Sequence, residues 1–478
     1  MPDAHFQVAP ALSTRRSFLK RLGSAGAFTI VGSSVGGLTL GLRPMTAWGL
    51  PGDGDDPVIV NVFLRGGADA LNVVVPYGDD EYYRLRRSIA RNAGDYTDLD
   101  GFFGLNNAFN ALMPLYNSGE LAFVHAVGSF DPTRSHFVAQ PIMDAGFGPG
   151  GWLQRALQVK NLANPVSGVT IGSRTTEALA GAFGGIALDN INKYVREAGD
   201  LASVRPALEA MYGGAIQDLD RNAVLNAFLS IDQLAEITIE PSVSYPNTPI
   251  ATDFEEAAKL IKSDIGVRGV GINNGGWDHH SNEVTRMQTV GSRLGEAIAT
   301  FWQDLGEHRN RVVIVINSEF GRTAEQNGSG GTDHGHGGAM IVVGTELQNA
   351  GGGQVLTADG VWPGLRTEDL YLERFSPITT DFRSVFAEVV DRHFGVDDMA
   401  TAFPGFVPQY LDILPQQFAD GDVDGSGVVD DADAQAILDA AAGQAPAGYD
   451  GPRGDVSGDG TTGLLDALMV AQDGNPPQ

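Results

Sequence analysis

From Pro57 onward, short β-branched runs alternate with longer stretches whose apolar residues recur at helical spacing, the pattern of a mostly parallel sheet covered by helices. Val58-Ile59-Val60-Asn61-Val62-Phe63-Leu64 and Leu121-Ala122-Phe123-Val124-His125-Ala126-Val127 read as buried strands, and residues 266–272 and 311–316 as two more. Helices are predicted over 81–91, 108–117, 222–235, 254–263, 284–305 and 381–394, each followed by Gly, Pro or a charged turn. The expected core is an α/β domain over residues 50–415 with a doubly wound, mostly parallel sheet.

Polar motifs follow these strands. Arg65-Gly66-Gly67-Ala68-Asp69 follows the first and Asp131-Pro132-Thr133-Arg134-Ser135-His136 the second; Asp278 and His280 follow the third, and Glu319 the fourth. Ligands in open α/β sheets bind beyond the carboxyl ends of the strands, so the four loops are expected at one sheet edge. Between Gly276 and Gly338 lie Asp278-His279-His280, Ser318-Glu319-Phe320-Gly321-Arg322 and Asp333-His334-Gly335-His336, holding four of the nine histidines. Neutral imidazole and ionised carboxylate are the usual ligands of a catalytic divalent ion, here zinc, manganese or magnesium. Asp278 and His280 are two apart, so on an extended segment they face one side and His279 faces the other.

The formal charge of −28 argues against nucleic acid or anionic lipid as a partner. The absence of cysteine excludes a disulfide framework and any thiolate site, leaving oxygen and imidazole nitrogen to hold a metal. Ser13-Thr14-Arg15-Arg16-Ser17-Phe18-Leu19-Lys20 precedes an uncharged Gly-, Ser- and Ala-rich stretch, with Ala47-Trp48-Gly49 as a small-x-small cleavage site. Residues 1–49 thus resemble a twin-arginine export signal, which implies a periplasmic or extracellular protein without stable membrane insertion after cleavage.

After Pro415 the composition changes: residues 419–478 hold twelve Asp and one basic residue, Arg453. Gly421-Asp422-Val423-Asp424-Gly425-Ser426-Gly427 recurs 33 residues later as Gly454-Asp455-Val456-Ser457-Gly458-Asp459-Gly460. Oxygen donors at Asp422, Asp424, Ser426, Asp430 and Asp433, with the Val428 carbonyl, have the spacing of a calcium loop; so do Asp455, Ser457, Asp459 and Asp466, with the Thr461 carbonyl. Two calcium ions are expected. With one helix after each loop, Ala432–Ala442 and Leu464–Gln472, residues 416–478 resemble a dockerin type I module, a small α domain related to the calcium hands. That resemblance implies a protein partner, but Asp431-Ala432 and Leu464-Leu465 stand where dockerins carry the Ser-Thr-like pairs used for cohesin binding.

The text from Val62-Phe63-Leu64-Arg65-Gly66-Gly67-Ala68-Asp69 through Asp131-Pro132-Thr133-Arg134-Ser135-His136, Gly151-Trp152-Leu153, Ser318-Glu319-Phe320-Gly321-Arg322 and Gly331-Thr332-Asp333-His334-Gly335-His336 resembles an exported bacterial family, domain-of-unknown-function family 1501. That family is similar to the alkaline phosphatase and sulfatase superfamily, which implies hydrolysis of small-molecule or polymer phosphate or sulfate esters with one or two divalent ions. On this resemblance Asp69 is the first metal-binding carboxylate, Ser135 the nucleophile, and His136 and Arg134 its catalytic neighbours. The superfamily's Asp-His-Gly stands here as Glu319-Phe320-Gly321, so one imidazole ligand is missing. Either Asp333, His334 and His336 replace it, with His336 the better candidate, or Asp333-His334-Gly335-His336 aligns directly on the Asp-His-x-His of alkaline phosphatases. Two alternatives stay open: a non-catalytic exported binding protein that keeps the fold, and a polysaccharide-associated enzyme.

Overall fold

The structure, a computed structural model, describes residues 56–415 except 161, 163, 182–184, 200–204, 208–217, 348–352, 358–359 and 397, together with 423, 431–446, 449 and 463–473. The residues read as an export signal and most of those read as two calcium loops lie outside these residues. The chain divides into two compact units, Met1–Leu414 and Pro415–Gln478.

The first unit is built on a nine-stranded sheet. Its strands, numbered along the chain, are β1 Val58–Arg65, β2 Leu121–Gly128, β3 Gly168–Ile171, β4 Ile186–Leu188, β5 Gly269–Gly275, β6 Val312–Ser318, β7 Gly338–Val343, β8 Gln354–Leu356 and β9 Thr380–Asp381. They run in the order β8-β2-β7-β6-β1-β5-β3-β4, with β9 also paired to β2. All pairings are parallel except those of β7, which is antiparallel to both β2 and β6.

The β-branched runs form strands because both sheet faces are buried, and successive side chains feed opposite cores. Val58, Val60, Val62 and Leu64 of β1 join one core with Val312, Ile314 and Ile316 of β6; Ile59 and Phe63 join the other with Val313 and Val315. The first core is covered by α3 Pro249–Lys262 and α4 Glu283–Leu305, and the second by α2 Trp152–Val159 and α5 Phe382–Arg392. Each such Val, Ile or Phe taken fully from water is worth ~1.5–3 kcal/mol, so burial on both faces holds the strands inside the sheet. Helix α1, His136–Ala145, follows β2.

Four elements differ from the sequence reading. The strand expected at 266–272 is β5, shifted to Gly269–Gly275, because Gly266 turns the chain at φ 94° and the polar Asn273 and Asn274 still pair with β1. The helix expected over 81–91 ends at Leu85, where Arg86 leaves helical geometry and turns its guanidinium inward. The segment 108–117 divides into a 3-10 turn, Asn107–Leu112, and a short helix, Met113–Asn117, with Pro114 in its first turn. β7 is a strand that enters the sheet edge from a glycine-rich loop, a context that hid it.

In the second unit, helices α6 Asp431–Ala441 and α7 Leu464–Asp473 pack through Val423, Ala434, Ile437, Ala467 and Val470. Asp433 is buried, and its Oδ1 accepts a hydrogen bond from Val423 N at 2.8 Å. The other loop positions from 422 to 430 and from 455 to 461 lie outside the described residues.

Candidate metal centre

β1, β2, β5 and β6 all end at one edge of the sheet, and antiparallel β7 begins there. Loops leaving the parallel strands therefore meet the loop that enters β7. This reversal brings Asp333-His334-Gly335-His336 beside Asp278 and His280, although one segment precedes its strand and the other follows it.

Three side chains converge. A ligand atom from each of His136, Asp278 and His334 lies within 4.8 Å of the other two. His280 borders them, its Nε2 3.0 Å from both Asp278 Oδ1 and His334 Nε2. His334 Nε2 is 3.2 Å from Asp278 Oδ1, and His136 Nε2 is 3.7 Å from Asp278 Oδ2.

All three imidazoles are held from behind in the same way. His136 Nδ1 is 2.7 Å from Glu319 Oε1, His334 Nδ1 is 2.8 Å from the Arg134 carbonyl, and His280 Nδ1 is 3.2 Å from Asp333 Oδ1. Carboxylates and carbonyls only accept, so each Nδ1 donates and a neutral ring turns a bare Nε2 lone pair toward Asp278. Three such lone pairs facing one carboxylate repel unless a cation or protons lie among them. His136 Nε2 is buried with no hydrogen-bond partner. An orphaned imidazole nitrogen, a second one held at Nδ1 and a carboxylate form a donor set that fits a divalent transition ion.

Electrostatics favour the ligating forms. Burial acts to raise the Asp278 carboxyl, but the hydrogen bond and charge of Arg322 outweigh it and hold the group below the ordinary carboxylate range. Burial also depresses His334, which keeps it neutral at neutral pH. Arg322 is itself fully buried; its Nη2 reaches Asp278 Oδ1 at 2.5 Å and its Nη1 the Thr332 carbonyl at 3.0 Å, and it also contacts the carbonyls of Gly66 and Gly67. One guanidinium thus ties three loops together. Gly66 makes the close approach possible: at φ 126° a side chain there would place its Cβ 2.5 Å from Asp278 N.

Other residues read from the sequence lie elsewhere. Asp69 is fully buried and gripped by Arg86 through two hydrogen bonds of 2.5 and 2.9 Å, so its oxygens neutralise a guanidinium and do not face the cluster. Glu319 spends its oxygens on Gly66 N (2.8 Å), Gln140 Nε2 (2.8 Å) and His136 Nδ1 (2.7 Å), with Ser318 Oγ 2.9 Å from the other oxygen. It anchors the His136 ring from behind. Asp333 does the same for His280 while also contacting Asn327 and Arg374. His336 stacks on Tyr371 at 4.5 Å and lines a void of about 10 Å³ with Ser129, Asp131, Glu319 and Phe320. His279 is buried, its Nε2 2.9 Å from the Gly276 carbonyl. Phe320 packs against both His136 and His334, at 5.0 and 4.9 Å between ring centres, as an apolar floor to the pair.

Ser135 caps α1 without a side-chain capping bond and is exposed, one residue from His136. Arg134 places its guanidinium 4.6 Å from the centre of the Phe375 ring, and Arg374 lies 5.5 Å from the same ring. The reading of the sequence had not assigned Gln140 or Arg86. The i,i+4 spacing of His136 and Gln140 on one helix was the available signal for the first; nothing in the local sequence marked the second.

Residues 256–404 match the model of the family described as Protein of unknown function (DUF1501). No curated protein matches the chain. Among solved structures, the chain is similar to the alkaline phosphatase from the Antarctic bacterium TAB5, with 9% identity, 63% of this chain and 95% of that chain covered, and a TM-score of 0.27. It is similar to the PsFucS1 sulfatase from Pseudoalteromonas sp., with 12% identity, coverage of 76% and 73%, and a TM-score of 0.34. The lipoteichoic acid synthase LtaP from Listeria monocytogenes shows 10% identity, coverage of 76% and 79%, and a TM-score of 0.30. Likenesses this loose carry no assignment of activity, and the family match stands for residues 256–404.

Proposed function

We propose that this chain is an exported, metal-dependent hydrolase of phosphate or sulfate esters, with a calcium-binding C-terminal module. One observation carries the reading: imidazole Nε2 lone pairs and the Asp278 carboxylate converge beside exposed Ser135 at the start of a helix. A divalent ion held by His136, Asp278 and His334 supplies a Lewis acid that polarises an ester oxygen and lowers the pKa of a nucleophile; the imidazole-rich set suits zinc or manganese better than magnesium.

The chain's own groups supply the rest. Ser135 Oγ, not used in capping, would lose its proton and attack the phosphorus or sulfur as the bond to the ester oxygen breaks and the alcohol leaves with a proton. Water would then cleave the phospho- or sulfo-serine to restore the hydroxyl. The amides of His136 and Phe137 open α1 next to Ser135, and the helix dipole favours negative charge there. Arg134 and Arg374, both over the Phe375 ring, supply positive charge beside the cluster in a chain that is otherwise strongly acidic. Such local charge draws in and orients an anionic ester. The twin-arginine motif supports export before or during action on a small-molecule or polymeric substrate.

The test is a turnover screen of zinc- and manganese-loaded protein across phosphate monoesters, diesters and sulfate esters. Turnover is expected in at least one class, and Ser135→Ala should lower kcat by about three orders of magnitude or more. An inactive wild-type protein, or a Ser135→Ala variant with full turnover, overturns the reading.

A further inference from the structure

We propose that Glu319 is a positioning residue that holds the His136 ring with Nε2 turned to a bound metal ion, and that it is not itself a metal ligand. The inference deepens the metal-centre reading and rests on it. Glu319 follows β6 directly, where a carboxylate has a clear path to the site edge, yet its environment is that of an anchored acceptor. Three donors converge on Oε1: Gly66 N from the β1 loop, Gln140 Nε2 from α1 and His136 Nδ1 from the start of that helix. Oε1, offering two lone pairs to three N–H groups, has none left for a cation, and Oε2 lies against Ser318 Oγ at 2.9 Å. Burial alone would raise this carboxyl, and the hydrogen bonds from Gln140, the surrounding backbone and His136 hold it below the ordinary carboxylate range.

The other side of the ring shows the purpose of this arrangement. With Nδ1 donating to Glu319, a neutral ring carries its lone pair on Nε2, the buried atom left without a hydrogen-bond partner, 3.7 Å from Asp278 Oδ2. Phe320 and His334 pack against the same ring at 5.0 and 4.3 Å between centres, so the imidazole cannot easily swing to another acceptor. Carboxylate, imidazole and ion in series is a common way for proteins to fix the tautomer and raise the basicity of a ligating histidine. Gln140, one helical turn beyond His136, braces the carboxylate from the same helix, so α1 carries both the ligand and the support of its anchor.

The test is a double-mutant cycle on the full-length protein, read by cobalt(II) titration with the C-terminal loops saturated by calcium. The signals are the visible ligand-field band of a nitrogen-containing site and the dissociation constant from chelator competition. Glu319→Gln, which keeps an acceptor oxygen but removes the negative charge behind the imidazole, should weaken cobalt binding about 10- to 100-fold and shift the band. In a His136→Ala background the same substitution should have no further effect, because the residue acts through His136. A purely structural role would weaken binding equally in both backgrounds, and that result, or unchanged affinity in Glu319→Gln, overturns the proposal. If Glu319→Gln does not fold, the same cycle is run with Glu319→Asp, which withdraws the carboxylate by one methylene. A wild-type protein that gives no ligand-field band overturns the metal-centre reading as well, which separates that failure from a failure of the positioning role.

Discussion

The ion pair of Asp69 and Arg86 shows how a carboxylate can look like a ligand and serve as a strut. Asp69 shares its buried surroundings with Glu283, and the two carboxyls answer one guanidinium. Asp69 lies below the ordinary range because Arg86 outweighs the cost of burial, whereas burial and the Asp69 charge push Glu283 well above it. Arg86→Met therefore leaves two buried carboxyls without a cation and should destabilise the protein by about 3–5 kcal/mol in urea denaturation. Asp69→Asn should leave metal content unchanged, as measured by elemental analysis after dialysis; loss of the metal would return Asp69 to the ligand set. His125 reports on pH in another way. Its Nδ1 accepts from Ala126 N and its Nε2 faces the Val74 carbonyl, a neutral arrangement, and burial pushes it down to about 4. The unfolded chain then binds a proton below about pH 6.5 that the folded chain refuses until about 4, so stability falls as pH drops through that window, by up to ~3 kcal/mol from this residue. His125→Gln should flatten the dependence between pH 6.5 and 4, and an unchanged slope would rule out this origin. Neither role was legible beforehand, because the partners Arg86 and Val74 are 17 and 51 residues away in the chain.

At the level of elements, the decisive feature is the reversed strand β7. In an all-parallel sheet, the segment before a strand lies at the edge opposite the segment after it. Here the antiparallel sense of β7 carries His334 to the edge where β5 delivers Asp278. The two candidate alignments, one through Glu319-Phe320-Gly321 and one through Asp333-His334-Gly335-His336, thus both point to the same place. They divide the labour: His334 faces the cluster, and Glu319 anchors His136. The β1 loop fits only because Gly66 has no side chain against Asp278. Gly66→Ala should cost about 2 kcal/mol or more from the left-handed backbone and the close approach together, and should also weaken metal binding by displacing Asp278 from Arg322. Denaturation and cobalt titration measure the two effects separately, and a variant with native affinity would show that this loop does not set the site.

For the whole molecule, two compact units imply two responses to metal removal. Calcium-selective chelation should shift a calorimetric transition belonging to residues 415–478 and spare the large unit, since the acidic loops gather carboxylates that repel without a cation. A single transition that moves as one would contradict that division. Near-continuous apolar runs in β1, β2 and β6 revealed the buried sheet, because a strand covered on both faces sends apolar side chains into both cores. The clustering of Asp278, His280 and His334 in short glycine-flanked runs likewise pointed to a candidate metal site, because few residue types can hold a divalent ion without cysteine. What local sequence could not convey was which nitrogen faces inward, which carboxylate is already engaged and which strand is reversed. His136 became a candidate ligand, and Asp69 and Glu319 supporting groups, through contacts with Arg86, Gly66, Gln140 and Asp278 that only chain folding creates. Residue types and spacing thus determined the chemistry available to this protein. The tertiary structure decided how it is allotted, because a side chain's role follows from the lone pairs and protons its neighbours leave unused.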